Sequence, residues 1–192
     1  MSDTTADKST IVAILGDIFV RRGAESYLGE DVSMAEHMLQ AAALAERDGA
    51  RTEMIAAALL HDIGHFGGEF GTYSPDDTHD RHHDATGGDI LKPFFPPLVS
   101  KCVRLHVTAK RYLCAKDRGY FDKLSSASVH TLSLQGGPMS EQEVRAFEML
   151  PYHKEAVKVR LWDDTGKVAG VQTKTFGDYA DLLQDLVNSH TR

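Results

Sequence analysis

Apolar residues recur along most of this chain at the three- and four-residue spacing of amphipathic helices. The first such stripe consists of Ile11, Ile14, Leu15, Ile18 and Phe19. It predicts a helix that ends at Gly23. Ser33 and Glu36 have the spacing of a capping box, so a second helix should run from about Met34 to Asp48 and end at Gly49. Thr52 is the predicted N-cap of a third helix.

The rest of the chain continues this helical pattern. Further helices are predicted at 83–91, from Pro97 past His106, and at 122–134, 141–150, 152–162 and 177–188. Evidence for a strand is confined to 168–175. The segment 66–80 is rich in glycine and aspartate and predicts a loop, long enough to act as a lid. The fold class expected is a single all-α domain of seven to nine helices.

Composition narrows the classes of function. The chain has 192 residues and a formal net charge of −7, which argues against general binding of nucleic acids or anionic membranes. The longest apolar run, 54–60, is far too short to span a membrane. The N-terminal residues are polar, and the two cysteines form no Cys-x-x-Cys motif. These features predict a cytoplasmic protein.

Histidine is the unusual component. Seven of the ten histidines lie between positions 37 and 106: His37, His61, His65, His79, His82, His83 and His106. Histidine is the commonest metal ligand, although a histidine-rich solvated surface is the alternative. His61 and Asp62 end an aliphatic helix, where an unpaired imidazole and carboxylate would be costly to bury. A bound cation would offset that cost, and Asp62 has two oxygens with which to bridge two metals.

The order of these residues resembles the HD-domain superfamily, whose signature is a His, then a His-Asp pair, then a distant Asp. The resemblance implies a helical bundle around a dinuclear metal site, as one domain over 1–192 with its metal-binding core at about 27–165. The implied metal ligands are His37, His61, Asp62, His83, His106 and Asp163. His83 is preferred to His79 and His82 because His-Asp-Ala-Thr-Gly at 83–87 resembles the family's His-Glu-x-x-Gly.

Five stretches, 27–30, 59–65, 106–113, 135–139 and 160–163, are similar to a narrower group, the HD-domain oxygenases that cleave 1-hydroxyphosphonates. This similarity covers about residues 24–167. It implies a mixed-valent Fe(II)/Fe(III) pair, O2 as co-substrate, and release of phosphate and a carboxylic acid. It also implies a small hydroxyphosphonate substrate that a separate hydroxylase supplies. The oligomeric state is not predicted.

The same resemblance implies roles for individual residues. His37, His61, Asp62 and Asp163 would hold one iron, and Asp62, His83 and His106 the other. The residues implied in catalysis are Tyr27, His65 and Lys110. Those implied in binding the phosphonate are His65, Lys110, Ser128, Thr131, Gln135 and Arg160. Lys110 lies one helical turn from His106 and should point into the same pocket.

The other end of the substrate is assigned from charge. Glu30 matches a family carboxylate that faces an amino group, and Asp31 adds a second negative charge. Two carboxylates suit a permanent cation, so we expect a trimethylammonium substrate and glycine betaine as product. The alternatives are the primary amine, which would give glycine, an HD-domain phosphohydrolase that needs no O2, or a metal-stabilised binding module. Asp31 at the start of a helix is the alternative for that residue.

Overall fold

The computed structural model describes residues 6–27, 29–67 and 78–190. Within them it contains ten α-helices, two 3-10 helices and no strand. The helices are α1 Ile11–Arg22, α2 Met34–Arg47, α3 Thr52–Leu60, α4 His83–Leu91, α5 Pro97–Lys116, α6 Arg118–Phe121, α7 Ser126–Leu134, α8 Glu141–Glu148, α9 His153–Thr165 and α10 Ala180–Ser189. The 3-10 helices are Ile63–Phe66 and Phe176–Tyr179. The all-α class is confirmed, with one helix more than the predicted maximum of nine, since α6 is too short to show a periodicity.

Side-chain caps explain the starts of α2, α6, α7 and α8. Ser33 and Glu36 form the predicted capping box on α2, with the Ser33 N–H donating to Glu36 Oε2 at 2.7 Å. Ser140 forms the same arrangement on α8. Thr52 is not an N-cap, however, because α3 begins one residue earlier than expected and Arg51 occupies that position.

Two predicted elements differ from the structure. The helix predicted at 122–134 begins only at Ser126, because the Ser125 side chain caps it there. The strand predicted at 168–175 is wrong, since this segment is irregular. The Gln40 side chain accepts from the Val168 N–H at 3.0 Å and donates to the Val168 carbonyl at 2.8 Å. A side-chain amide thus satisfies backbone groups that a neighbouring strand would otherwise pair.

Helix α3 lies at the centre of the bundle. All residues from Met54 to Leu60 are buried, and α2, α5 and α9 pack around them. Helix α4 packs on α5 and on the 3-10 helix that follows Asp62. The apolar α3 therefore delivers His61 and Asp62 into the middle of the fold. None of the described helices combines the length and apolar character needed to cross a bilayer.

Most of the predicted loop at 66–80, with its proposed lid, falls in 68–77 and lies outside the described residues.

Candidate dinuclear metal centre

Four helices and the turn after α3 bring the six predicted metal ligands together. His37 comes from the first turns of α2, and His61 and Asp62 follow the end of α3. The remaining three are His83 at the start of α4, His106 in α5 and Asp163 in α9. They form two clusters that share Asp62.

The first cluster is fully buried. His37 Nε2 lies 3.0 Å from His61 Nε2. Asp62 Oδ2 lies 3.6 Å from His37 Nε2 and 3.4 Å from His61 Nε2. Asp163 Oδ1 completes the cluster, at 3.4 Å from His37 Nε2 and 3.9 Å from His61 Nε2.

The second cluster uses the other oxygen of Asp62. His83 Nε2 and His106 Nε2 are 3.1 Å apart, and each lies 3.4 Å from Asp62 Oδ1. The Asp62 carboxylate therefore points one oxygen at each cluster, which is the geometry of a bridging ligand.

Backbone carbonyls fix the tautomers of three histidines. The Nδ1 atom of His37 lies 2.9 Å from the Gly166 carbonyl oxygen, that of His61 2.8 Å from the Ala58 oxygen, and that of His106 2.6 Å from the Val103 oxygen. Because a carbonyl oxygen only accepts, each Nδ1 carries a proton, and in the neutral imidazole each Nε2 then presents a lone pair to the centre.

These lone pairs require a cation. Two Nε2 atoms 3.0 Å apart cannot both stay neutral, because their lone pairs would repel. Burial alone would lower the pKa of His61, but Asp62 and Asp163 raise it to about 9, so this imidazole binds a cation, either a proton or a metal ion. Asp163 Oδ1 is also buried with no hydrogen-bond partner among the described residues. A metal ion in each cluster would satisfy all of these atoms. Imidazole nitrogens with carboxylate oxygens suit iron, manganese, cobalt or zinc better than magnesium.

The electrostatics keep Asp163 and His83 in metal-binding form. Burial alone would raise the pKa of Asp163, but Arg160 and His61 hold it well below its usual range. Burial, with His65 alongside, lowers the pKa of His83 to about 3, so this imidazole is neutral. An ionised carboxylate and a neutral imidazole are the forms that ligate metals.

Arg160 fixes the orientation of Asp163. Its Nη1 donates to Asp163 Oδ2 at 2.7 Å, which leaves Oδ1 facing the first cluster. Its Nη2 donates to Asp164 Oδ1, and its Nε donates to the Tyr120 hydroxyl at 3.1 Å. Two carboxylates therefore outweigh the single charge of this guanidinium, which also lines a cavity beside the second cluster.

A cavity opens beside the second cluster and gathers most of the predicted catalytic and phosphonate-binding residues. It is lined by Asp62, His83 and His106 of that cluster and by Tyr27, His65, Lys110, Ser128, Thr131, Gln135, Arg160 and Asp163. Lining residues that the sequence analysis did not assign are His79, Asp80, Arg81, Val107 and Leu134.

Lys110 is a buried amine that lines this cavity. Only 2% of the residue is exposed, and its Nζ donates to Thr131 Oγ1 at 2.8 Å. Burial and the neighbouring Arg160 lower the pKa of Lys110 to about 7. An anion bound in the cavity would favour its charged form.

Two rings cover the metal ligands. Tyr27 stacks on His37 with ring centres 3.8 Å apart, and His65 stacks on His83 at 4.0 Å. Burial, then Asp163, raises the pKa of Tyr27, so its hydroxyl keeps its proton. His65 Nε2 also lies 3.8 Å from Asp62 Oδ1, close to the second cluster.

Three residues that the sequence offered for the substrate nitrogen or for a metal do not line the cavity. Glu30 and Asp31 are not among the described residues that line the cavity. Glu30 Oε1 is nevertheless buried without a partner in the described part of the chain, whereas Asp31 is exposed. The His82 side chain is 74% exposed and contacts Asp80, so His83 is the member of this pair that lies in the cluster.

One residue near the site was missed. Lys167 Nζ donates to Ser128 Oγ at 3.2 Å and lies 3.9 Å from Asp163 Oδ1. The spacing of Lys167 four residues after Asp163 is the one sequence signal, and it is common on any protein surface.

Comparison with known proteins places this site in a family. A model of the HD domain matches residues 34–165, which include the six clustered residues. The chain belongs to the HD-domain family. It is a metal-binding member, because its histidines and aspartates are gathered into two clusters that could each hold a metal ion.

Relatives within this family are close. A protein of Leisingera caerulea, 1-hydroxy-2-(trimethylamino)ethylphosphonate dioxygenase (glycine-betaine-forming), is 51% identical over 184 residues, 96% of this chain and 94% of the relative. A hydroxymethylphosphonate dioxygenase of Gimesia maris is 44% identical over 156 residues, 81% of this chain and 78% of the relative. An uncharacterized protein of Acanthamoeba polyphaga mimivirus is 32% identical over 185 residues, 91% and 81% of the two chains.

Proposed function

We propose that this HD-domain protein is a diiron dioxygenase that cleaves the carbon–phosphorus bond of 1-hydroxy-2-(trimethylammonio)ethylphosphonate. The products are glycine betaine and phosphate. The observation that carries the proposal is the cavity, which joins the second metal cluster to a buried ammonium and two hydroxyls, Ser128 and Thr131. The 51% identity to the Leisingera caerulea dioxygenase over almost the full chain supports the same reaction.

The reaction balances with one molecule of O2. The C1–P bond breaks, C1 is oxidised to a carboxylate, and phosphate leaves with one oxygen more than the phosphonate had. Two iron ions, one Fe(II) and one Fe(III), would supply the activation of O2 when bound. His37, His61, Asp62 and Asp163 would hold one of them, and Asp62, His83 and His106 the other.

The protein's own residues bind and orient the phosphonate. Lys110 donates to one phosphonate oxygen, and the Ser128 hydroxyl and His65 contact others, since all three line the cavity beside the second cluster. Hydrogen bonds from a buried ammonium to an anion are strong and directional. They hold C1 against the metal centre. Tyr27 covers His37 and occupies the space beside the first cluster until the substrate enters.

The cationic end of the substrate is assigned to Glu30. Glu30 is half-buried, and its Oε1 is buried with no partner in the described residues, which is costly for a polar atom. A trimethylammonium group offsets the charge of this carboxylate without needing to accept a hydrogen bond. Val107 and Leu134 add apolar surface to the cavity for its methyl groups. The substrate reaches this cytoplasmic enzyme from a separate hydroxylase that installs the C1 hydroxyl.

The test compares substrates with and without O2. The protein is loaded with iron anaerobically and offered the trimethylammonium substrate, its primary-amine analogue, hydroxymethylphosphonate or a phosphomonoester, and O2 is then admitted. We expect phosphate only after O2 enters, and fastest from the trimethylammonium compound. Phosphate release from the phosphomonoester without O2 would identify a phosphohydrolase instead. Faster turnover of the amine would contradict the substrate assignment.

A further inference from the structure

Lys167 contacts the site from outside the cavity. It follows α9, and only 11% of its side chain is exposed. Its ammonium lies 3.2 Å from Ser128 Oγ, 3.9 Å from Asp163 Oδ1 and 5.3 Å from the centre of the Tyr27 ring. Three residues of the site, from three separate parts of the chain, thus share one cation that is not among the described residues lining the cavity.

Helix α7 presents two hydroxyls, and each accepts a hydrogen bond from a lysine. Ser128 and Thr131 are three residues apart and therefore share one face. Lys110 donates to Thr131 Oγ1 at 2.8 Å, and Lys167 donates to Ser128 Oγ at 3.2 Å. Each hydroxyl of the pair accepts a hydrogen bond from its own ammonium.

The two hydroxyls differ in where their protons go. The Thr131 hydroxyl donates to the Ser128 carbonyl at 3.2 Å, so its proton is already used. Accepting from Lys167 leaves the Ser128 proton available to donate into the cavity that Ser128 lines. A hydroxyl that accepts from a cation is polarised and becomes a stronger donor.

The charges around the hydroxyls are compatible with this role. Asp163 and Asp164 together outweigh the single charge of Arg160. Lys110 and Lys167 each contact a hydroxyl that lines the cavity, so both ammonium groups would attract a bound phosphonate.

We propose that Lys167 is a positioning residue for the phosphonate, acting through the Ser128 hydroxyl. The inference rests on the proposed function, in that it takes a phosphonate as the ligand of this cavity. The competing role is to hold Asp163 as a metal ligand. The shorter distance to Ser128 Oγ, 3.2 Å against 3.9 Å, favours the phosphonate role.

The experiment is a double-mutant cycle with Lys167→Met and Ser128→Ala. The readouts are the Kd of inorganic phosphate for the iron-loaded protein without O2, the iron content, and KM and kcat for the hydroxyphosphonate. Loss of a hydrogen bond to a charged group predicts a Kd and a KM raised about tenfold in each single variant. The double variant should be no weaker than either single one, and kcat should change little. Lys167→Arg, which keeps the charge, should restore binding to within about threefold of wild type.

Lys174→Met is the matched control. Lys174 also pairs with a carboxylate, Glu46, at 2.7 Å and lies 5.4 Å from the ring centre of Tyr179, but none of these three residues is among the described residues that line the cavity. We expect wild-type phosphate binding from it. Additive effects in the cycle, unchanged phosphate binding, or fewer than two irons in Lys167→Met would overturn the proposal. If the effects of the two substitutions on phosphate binding are coupled but the protein consumes no O2, the role of Lys167 would stand and the proposed oxygenase reaction would be rejected.

Discussion

Replacing Gly64 by alanine should remove one of the two irons. Gly64 lies in the 3-10 helix after Asp62, against the first turn of α4. A Cβ atom at this position would lie 1.9 Å from the His83 carbonyl oxygen and 2.6 Å from the Gly87 nitrogen. Ordinary contact begins at 3.4 Å, so the two backbones must separate by about 1.5 Å.

Helix α4 is the element that should move. The residues from Met54 to Ile63 are all buried at the centre of the bundle, whereas Arg81 and His82, which lead into α4, are exposed. His83 would then shift by a distance far beyond the tolerance of a metal–nitrogen bond, which is about 0.2 Å. The second cluster should lose its metal, while the first, which does not use α4, should keep its own.

Metal analysis and thermal unfolding measure this effect. We expect Gly64→Ala to bind one iron instead of two and to lose oxygenase activity, with about 1–3 kcal/mol of overpacking cost. Gly87→Ala should be intermediate, because its Cβ would meet Val103 Cγ1 at 3.0 Å. Gly177→Ala is the control, with its nearest contact at an ordinary 3.6 Å. Two irons and full activity in Gly64→Ala would refute the geometric argument.

Three further predictions concern single side chains of the site. Because burial and a neighbouring guanidinium lower the pKa of Lys110 to about 7, its ammonium loses its proton as the pH rises above that value. The Kd of the hydroxyphosphonate, measured from about pH 6 to 9, should therefore rise more with pH in the wild type than in Lys110→Arg. Parallel pH profiles of the two proteins would contradict this. Glu30→Gln should raise KM about tenfold for the trimethylammonium substrate, whereas exposed Asp31→Asn should change it less than about twofold; a larger effect of Asp31 would reverse the assignment. His83→Ala should bind one iron and His82→Ala two, and the opposite pattern of iron content would show that His82 is the ligand.

The predictions that agree with the structure depend on local physics. The capping boxes at Ser33 and Ser140 need only residues within one turn, so the starts of α2 and α8 could be predicted directly from the sequence. The order of the histidines and aspartates, together with the resemblance it carries, was enough to select residues that the fold then gathers into two clusters. Helix α6 was missed because four residues contain no periodicity.

The predictions that fail or fall short depend on distant contacts. The alternating residues of 168–175 favour a strand locally, but the Gln40 side chain, 128 residues away from Val168, binds the backbone instead. Lys167 contacts the site only because the fold brings it next to Ser128 of α7, 39 residues away along the chain. Such pairings follow from the packing of the bundle and leave no mark in local sequence.

The ratio of O2 consumed to phosphate released tests the central claim most directly. An oxygen electrode and a phosphate assay would follow the iron-loaded protein with 1-hydroxy-2-(trimethylammonio)ethylphosphonate. The balance of the proposed reaction requires one O2 for each phosphate, with glycine betaine formed in the same amount. Phosphate released with no consumption of O2 would contradict the account.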